Sequence, residues 1–550
     1  MDNSITINLI AMAKITFKSD NQGQFQLLPP SLDELIPPTH VVRVVSSIID
    51  RLDLSGLLTS YKGGGNSCFH PRMMLKILVY AYLNNIYSSR KIERQLSENI
   101  PFMWLSGWLQ PDFRTINYFR GKRLKDHFDA LFTQVVELLH TEGFVSLEVQ
   151  YIDGTKIESA SNKYRFVWRG SVEKYDARLK DKTHRILRQA EEALKMEQDE
   201  CDTPEKLSAE DFQQRTERIK ERMANREVPK KVKKAVERVE KESVSKMKEY
   251  ERHLRIMGER NSYSKTDSDA TFMRMKEDAM LNGQLKPGYN IQIATENQFI
   301  TNYAVYQRPT DTLTLIPFME SFEKRYGKQS GIIVADAGYG SEQNYEYLFT
   351  KGIIPYVKYN MFHKEQKKKN KTNAFLSQNL FYNPQGNHYV CPMGQLLHFI
   401  RQEKQVSDAG YVSRVSIYRA TRCKGCPVRD RCHKAKGERV IKVNHTLNAY
   451  KERIRILLNS EEGIYHRGKR PVEPEAVFGD IKEGGKFRRL RLKGITGAGI
   501  EFGLKAMAHN LKKMAESSAL HYWLITLSKI YHLNISDNRY TKDELCDMAA

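Results

Sequence analysis

The sequence predicts an α/β protein: a mixed sheet flanked by helices, preceded by an all-helical domain and interrupted by two insertions. Three observations predict this. Apolar runs of strand length recur between residues 147 and 358 and, from about residue 313, alternate with amphipathic helical patterns. Residues 36–142 carry their apolar side chains at helical spacing. Two segments, 171–261 and 361–461, differ in composition from everything around them.

In chain order, residues 1–35 read as an extended, partly strand-like leader broken at Pro29-Pro30. Its apolar stretch Ile5 to Ala13 is short and lacks a basic flank, which argues against a signal peptide. In the helical domain, Val41, Val44, Val45, Ile48, Ile49 and Leu52 form one apolar face. Met73 to Tyr87 is a second helix, and Ser88 or Ser89 caps a third through Glu98, carrying Ile92 and Leu96. Pro111-Asp112 starts another, with Arg120, Lys122 and Arg123 on it. Two readings stay open for this domain: a helix-turn-helix DNA reader, or a helical bundle with a solvated basic face.

Leu147 to Ile157 reads as a buried strand. In 171–261, charges alternate in sign and Val236, Val239, Ser243, Met247, Tyr250, Leu254 and Met257 form a heptad-like seam. The expectation is a long antiparallel helix pair, serving as a dimerisation or DNA-clamping arm or as a spacer. Strands follow at Tyr289 to Ala294 and Phe299 to Val305, then a helix from Leu313 to Tyr326 and a strand from Gly331 to Ala335. A helix from Ser341 to Thr350 and a strand from Ile354 to Lys358 complete the pattern. A last helical region runs from Glu473 to Met514, before a partly helical tail, 517–550. With the insertions removed, the order is strand, strand, strand, helix, strand, helix, strand, helix. That order is ribonuclease H-like, with 143–170, 262–360 and 462–516 forming one core.

At 550 residues, several domains are expected. An excess of 88 Lys+Arg over 66 Asp+Glu, +22, favours a polyanionic partner, nucleic acid first. No apolar run is long enough to span a bilayer. Of seven cysteines, Cys391, Cys423, Cys426 and Cys432 fall in the second insertion. Four thiolates can close a structural Zn²⁺ site in a small strand-rich unit; a set of reduced thiols is the other reading.

Three carboxylates fall where metal chemistry needs them: Asp153 on the first strand, Asp336 ending the fourth, and Glu475 opening the helix after the fifth. Phosphodiester cleavage needs a nucleophile deprotonated near neutral pH and a neutralised leaving oxyanion. Two divalent ions held by hard oxygens supply both. Taken singly, each acid reads as a turn or helix-start residue. Their joint order on these elements is what points to catalysis.

Tyr151-Ile-Asp153-Gly-Thr-Lys-Ile-Glu-Ser with Asn162 to Arg169, Val334-Ala-Asp336-Ala-Gly-Tyr-Gly-Ser, and Glu475-Ala-Val-Phe-Gly-Asp-Ile-Lys482 resemble the three acidic blocks of bacterial insertion-sequence transposases of the DDE type. Phe69 to Lys76 and Ser89 to Glu93 resemble their N-terminal helical domain, so the resemblance spans about 35–515. It implies metal-dependent cleavage at element ends and strand transfer into target DNA, with two Mg²⁺ (or Mn²⁺) on Asp153, Asp336 and Glu475. The implied partners are double-stranded DNA, as terminal inverted repeats and target, and a second copy of the chain or more. No membrane is implied, and the implied location is the bacterial cytoplasm, at the nucleoid. The family's tyrosine, arginine, glutamate, lysine signature maps onto Tyr465, Glu475 and Lys482, with Arg467 and Arg470 both open for the arginine. Glu473 is a rival to Glu475, but would leave Asp480 where the lysine belongs. Lys486, Arg488, Arg489 and Arg491 extend the basic stretch toward the DNA backbone. Trp168 either stacks on an unpaired base or packs in a core. A catalytically silent regulator and a nuclease without strand transfer remain as alternatives.

Overall fold

A computed structural model describes residues 31–61, 67–196, 204–226, 228–275, 283–408 and 410–531, with side chains to 517. Most of the leader and the end of the tail lie outside the described residues. The central sheet has six strands. Val149–Glu158 lies in its middle, antiparallel to Leu285–Glu296 on one side and parallel to Ile332–Ala335 on the other, with Ile354–Val357 beyond. Leu285–Glu296 is long enough to take two partners on its outer edge. Phe299–Tyr306 returns along it through a turn at Asn297 and Gln298, both at positive φ as a tight hairpin requires. Thr271–Arg274, a strand the sequence pattern does not reveal, pairs its first residues. The expected strand and helix order is present, and the fold is the ribonuclease H-like mixed sheet.

The N-terminal helices are not a detached module. Val42, Leu78, Phe128 and Phe132 share one continuous hydrophobic core with Ile291 and Ile300 of the sheet and with Phe502, Met507 and Leu511 of the long helix Gly494–Tyr531. Arg325 reinforces the joint, donating to Asn302 (3.0 Å) in the sheet and pairing with Asp129 (2.8 Å) in the helix Phe128–Thr141. The second helix ends at Leu83 rather than Tyr87, because Asn85 takes a left-handed conformation. The expected basic reader helix is only Phe113–Tyr118 plus one wide turn, Phe119–Arg123. Within that turn, Arg120 points inward and donates to the Tyr82 hydroxyl and the Tyr87 carbonyl.

The first insertion is a bundle of three helical rods rather than an antiparallel pair. Arg169–Leu194 and Ala209–Ala224 pack with a third rod, Lys230 to Met257. The heptad seam fails inside the third rod. A π-turn over Val239–Val244 carries the buried stripe from Val239 to Val244 instead of Ser243. Ser208 caps the middle rod in a reciprocal capping box with Asp211. A short ribbon, Phe166–Trp168 against Ser262–Ser264, closes the base.

The second insertion is a five-stranded antiparallel sheet built from residues 381–443. It ends earlier than composition suggests. The helix His445–Asn459 buries Ile454 and Leu458 against the central sheet and belongs to the core.

In the bundle, Arg215 and Glu191 are almost fully buried, with Nε 2.6 Å from Oε1. Arg215→Ala is expected to cost about 3 kcal/mol, because it strands a buried carboxylate. Replacing both partners with Met is expected to cost far less. Urea unfolding of the two variants checks the difference.

Candidate functional site

The site is assembled by two periodicities meeting. On the central strand, Tyr151 and Asp153 are two residues apart and share a face. On the helix Glu461–Lys469 and the turn after it, Glu462, His466 and Arg470 recur every four residues and share a stripe. The two line up. Glu462 accepts from the Tyr356 hydroxyl (2.8 Å), His466 bonds the Tyr151 hydroxyl (2.8 Å) and stacks on the Tyr356 ring, and Arg470 reaches Asp153 (3.2 Å).

Arg470 is the hub. Its guanidinium also lies 3.8 Å from Asp336 and pairs tightly with Glu475. The parallel register sets Ile152 opposite Ala335, so Asp153 and Asp336 leave adjacent strands side by side. Each aspartate is steadied by a local amide: Gly154 N–H on Asp153 (2.9 Å) and Gly338 N–H on Asp336 (2.7 Å). Burial pushes the Asp153 carboxyl up to about 6; Arg470 and the Gly154 amide pull it down, and the charges of Asp336 and Glu475 push it up further. The structure thus brings together the three acids singled out in the sequence and sets Arg470 among them, whereas Arg467 lies over the Phe362 ring.

Glu475 is not at the start of a helix. It closes a π-turn, Pro471–Glu475, inside a helical run that continues through residue 484. Glu473 is turned away and buried, accepting from the Gln298 amide (2.8 Å). Lys482 lines the same cleft of about 690 Å³ as the three acids, but is itself largely buried. Arg488, also in that lining, pairs with Glu483, while Arg489 donates to the carbonyls of Ser159 and Ser161. Phe487 and Leu490 are buried, which explains their alternation with the basic residues. Arg491 is exposed one cavity further along, and Lys486 takes positive φ in the intervening turn. Tyr465 is half-exposed, with Lys469 over its ring. Trp168 packs with Phe166 and Phe272 and is not among the residues lining the cleft.

Sequence reasoning missed Asp311. It lies between Phe299–Tyr306 and the next helix and lines the same cleft. Its Oδ1 accepts from Asn290 (2.8 Å) and Gln292 (2.7 Å), while Gln292 accepts from buried Tyr339. Gly154 makes room for this cluster: a Cβ there would run into the Gln292 amide and stand 2.7 Å from Asp311. A signal was present, since Asn290 and Gln292 are polar at period two inside an otherwise apolar strand.

Among the described residues, no three His, Cys, Asp or Glu groups stand close enough together to hold a metal ion as they lie. For the acids the reason is Arg470, which occupies the point on which they converge. The donor set nonetheless fits a hard divalent cation: three carboxylates against one guanidinium leave a formal charge of −2, with Asp153 largely buried and Asp336 and Glu475 half-exposed.

The four cysteines of the second insertion are free thiols lining one small cavity with His433. The Gln395 and Arg439 amides donate to Cys391 Sγ (3.3 Å) and Cys423 Sγ (3.4 Å), and the Arg439 guanidinium donates to Cys432 Sγ (3.0 Å). Burial pushes the Cys423 thiol up. Both ring nitrogens of His433 are buried without a partner.

A mixed sheet with Asp153 within its central strand, Asp336 just after the neighbouring strand, and Glu475 on a helical run across them is consistent with the DDE class of the ribonuclease H-like fold. Residues 390–515 match the family model described as transposase DDE domain, and residues 30–122 match the one described as transposase domain (DUF772). These two matches support an insertion-sequence transposase of the DDE type. The first matched stretch contains Arg470, Glu475 and the cysteine cluster; Asp153 and Asp336 precede it. No curated protein and no solved structure matches the chain. No helix among the described residues is long and apolar enough to cross a membrane.

Arg470→Gln is expected to lower the stability of metal-free protein by about 2 kcal/mol. That is below the ~3–5 kcal/mol of a fully buried pair, because Asp336 and Glu475 are half-exposed. Added Mn²⁺ is expected to raise the melting temperature of the variant more than that of the parent, because the freed carboxylates take the cation. Thermal melts with and without Mn²⁺ check both.

Proposed function

We propose that the chain cuts the ends of its element and joins them to target DNA, using divalent ions on Asp153, Asp336 and Glu475. The convergence of three carboxylates on Arg470, in a cleft open to solvent, carries this reading. Two Mg²⁺ ions, or Mn²⁺, would supply activation of the attacking water or 3′-hydroxyl and neutralisation of the leaving oxyanion. The chain's own residues do the rest. The two aspartates are fixed by adjacent strands and local amides. The amide clamp of Asn290 and Gln292 positions Asp311 beside them. Arg470 would be available to pair with a phosphate oxygen where Asp153, Asp336 and Glu475 held cations, and Lys482 would add a second positive group to the same cleft. The partners are the terminal inverted repeats and target DNA. Assembly with at least a second copy follows from the need to hold two ends at once, and the bacterial cytoplasm, at the nucleoid, is where such DNA lies.

Asp153→Asn and Glu475→Gln are each expected to abolish Mg²⁺-dependent nicking of a duplex carrying the flanking inverted repeat, with duplex affinity in EDTA unchanged. Nicking by either variant at the parental rate refutes the assignment. Parental protein that binds but does not cut favours a silent regulator, and cutting without joining favours a nuclease.

We also propose that Cys391, Cys423, Cys426 and Cys432 hold a structural Zn²⁺, with His433 as a substitute ligand. Four sulfurs lining one cavity, three of them already accepting hydrogen bonds, support it, since such bonds stabilise thiolates. One zinc per chain is expected by metal analysis of purified protein. It should be lost, with unfolding of this sheet, when Cys423 and Cys426 are both replaced by Ser. Zinc-free folded protein overturns the proposal.

A further inference from the structure

A second cavity, of about 860 Å³, opens between the N-terminal helices and the start of the long C-terminal helix. Arg90, Arg114, Lys122, Lys125, Arg491 and Lys493 line it, all six exposed. None of the six forms an ion pair among the described residues. In the helical bundle the pattern is the opposite: Arg169, Lys180, Arg185, Arg215, Lys220 and Lys246 each sit against a carboxylate. Six like charges gathered around one depression repel each other until an anion arrives.

The cavity is also built rather than incidental. Arg90 and Arg114 both flank the Phe113 ring, at 4.6 and 5.7 Å. The backbone amides of Arg491 and Leu492 are clamped by the buried carboxylate of Glu501, at 2.7 and 2.8 Å, which fixes the loop bearing Arg491 and Lys493. The one acid in the lining, Asp269, is engaged: its Oδ2 accepts from the Ile495 amide (3.0 Å) at the start of the long helix. Finally, the cavity is continuous in chain with the carboxylate cleft. Lys482, Glu483 and Arg488 line the cleft, and Arg491 to Gly497 line the cavity.

We propose that this cavity is a phosphate-backbone dock for duplex DNA, gripping the same molecule whose end enters the carboxylate cleft. The inference rests on the DNA-processing reading above and adds where the helical domain holds the duplex. It explains why the N-terminal helices share a core with the sheet: a dock rigid with respect to the carboxylates fixes the distance between grip and cut. A lining of arginines and lysines around an aromatic ring, with no side-chain amide other than Asn117, suits backbone contact over base reading.

The test is binding in EDTA, so that it does not depend on cleavage. Arg90→Gln, Lys122→Gln and Lys493→Gln are combined in the full-length chain. Affinity is measured across a KCl series for an inverted-repeat duplex and for a scrambled duplex of the same length. Both duplexes are expected to lose affinity equally, and the slope of log K against log salt is expected to fall by about 0.9 for each contact removed, roughly 2.7 in all. Asp153→Asn, run in parallel, is expected to keep the parental slope. An unchanged slope in a variant that melts at the parental temperature overturns the proposal. So does loss confined to the inverted-repeat duplex, which would mean base reading, or equal protection of the cavity from lysine and arginine modification by inorganic phosphate alone. If the variant melts early, charge reversal at Lys122 alone (Lys122→Glu) decides, with the same slope criterion. Parental nicking failing while the slope falls as expected leaves the dock standing and refutes only the catalytic reading.

Discussion

Three carboxylates brought together, one of them largely buried, must be answered by positive charge, and in this fold the guanidinium among them is Arg470. At about 4 Å and an effective dielectric of ~20, each like-charge pair opposes the assembly by roughly 4 kcal/mol, and each contact with the guanidinium returns a similar amount. Burial alone shifts Asp153 strongly toward its neutral form. The arrangement therefore holds only because the helical run is docked tightly enough to keep the guanidinium in place. That docking is supplied by the two tyrosines, Tyr151 and Tyr356, through His466 and Glu462. One guanidinium thus offsets the three carboxylates in the metal-free protein.

The same helical run explains which glutamate joins the aspartates. Steps of four carry its inner stripe from Glu462 to His466 to Arg470. A regular α-helix would place residue 474 next on that stripe, and residue 474 is proline. The π-turn over Pro471–Glu475 makes the step five, so Glu475 takes the position and Glu473 rotates away to the Gln298 amide. An inserted residue in the turn does the same in the helical bundle, moving burial from Ser243 to Val244. In one place it shifts a packing seam; in the other it brings Glu475 to Arg470 beside the two aspartates.

Most of the central sheet was legible because strand-length apolar runs and capped amphipathic helices are local signals. Asp153 and Asp336 were legible for the same reason, as acids within and at the end of such runs. What was not legible depends on turns that leave no local trace. The heptad seam looked continuous because composition does not reveal a π-turn. Arg470 and Arg467 could not be separated, because the spacing from arginine to glutamate assumes a regular helix. Asp311 was hidden in a polar loop, and only the pairing of strands shows that Asn290 and Gln292 hold it against Gly154. The limit of the second insertion was misplaced because His445–Asn459 is polar on most of its surface and buries only a narrow stripe.

Charge is handled in three distinct ways along this chain, and the differences follow from what each part does. In the bundle, several acids and bases pair along and between the rods, among them Arg215 with Glu191 and Lys220 with Glu240. In the carboxylate cleft, negative charge exceeds its internal counter-ion, leaving room for cations. In the cavity between the N-terminal helices and the long C-terminal helix, positive charge has no internal answer among the described residues. Surpluses of opposite sign in neighbouring cavities would collapse toward each other if the two surfaces could move. They stay apart because Val42, Leu78, Phe128, Ile300, Phe502 and Met507 belong to one core. The hydrophobic joint between the helical domain and the sheet is therefore what holds the basic cavity and the carboxylate cleft at a fixed separation.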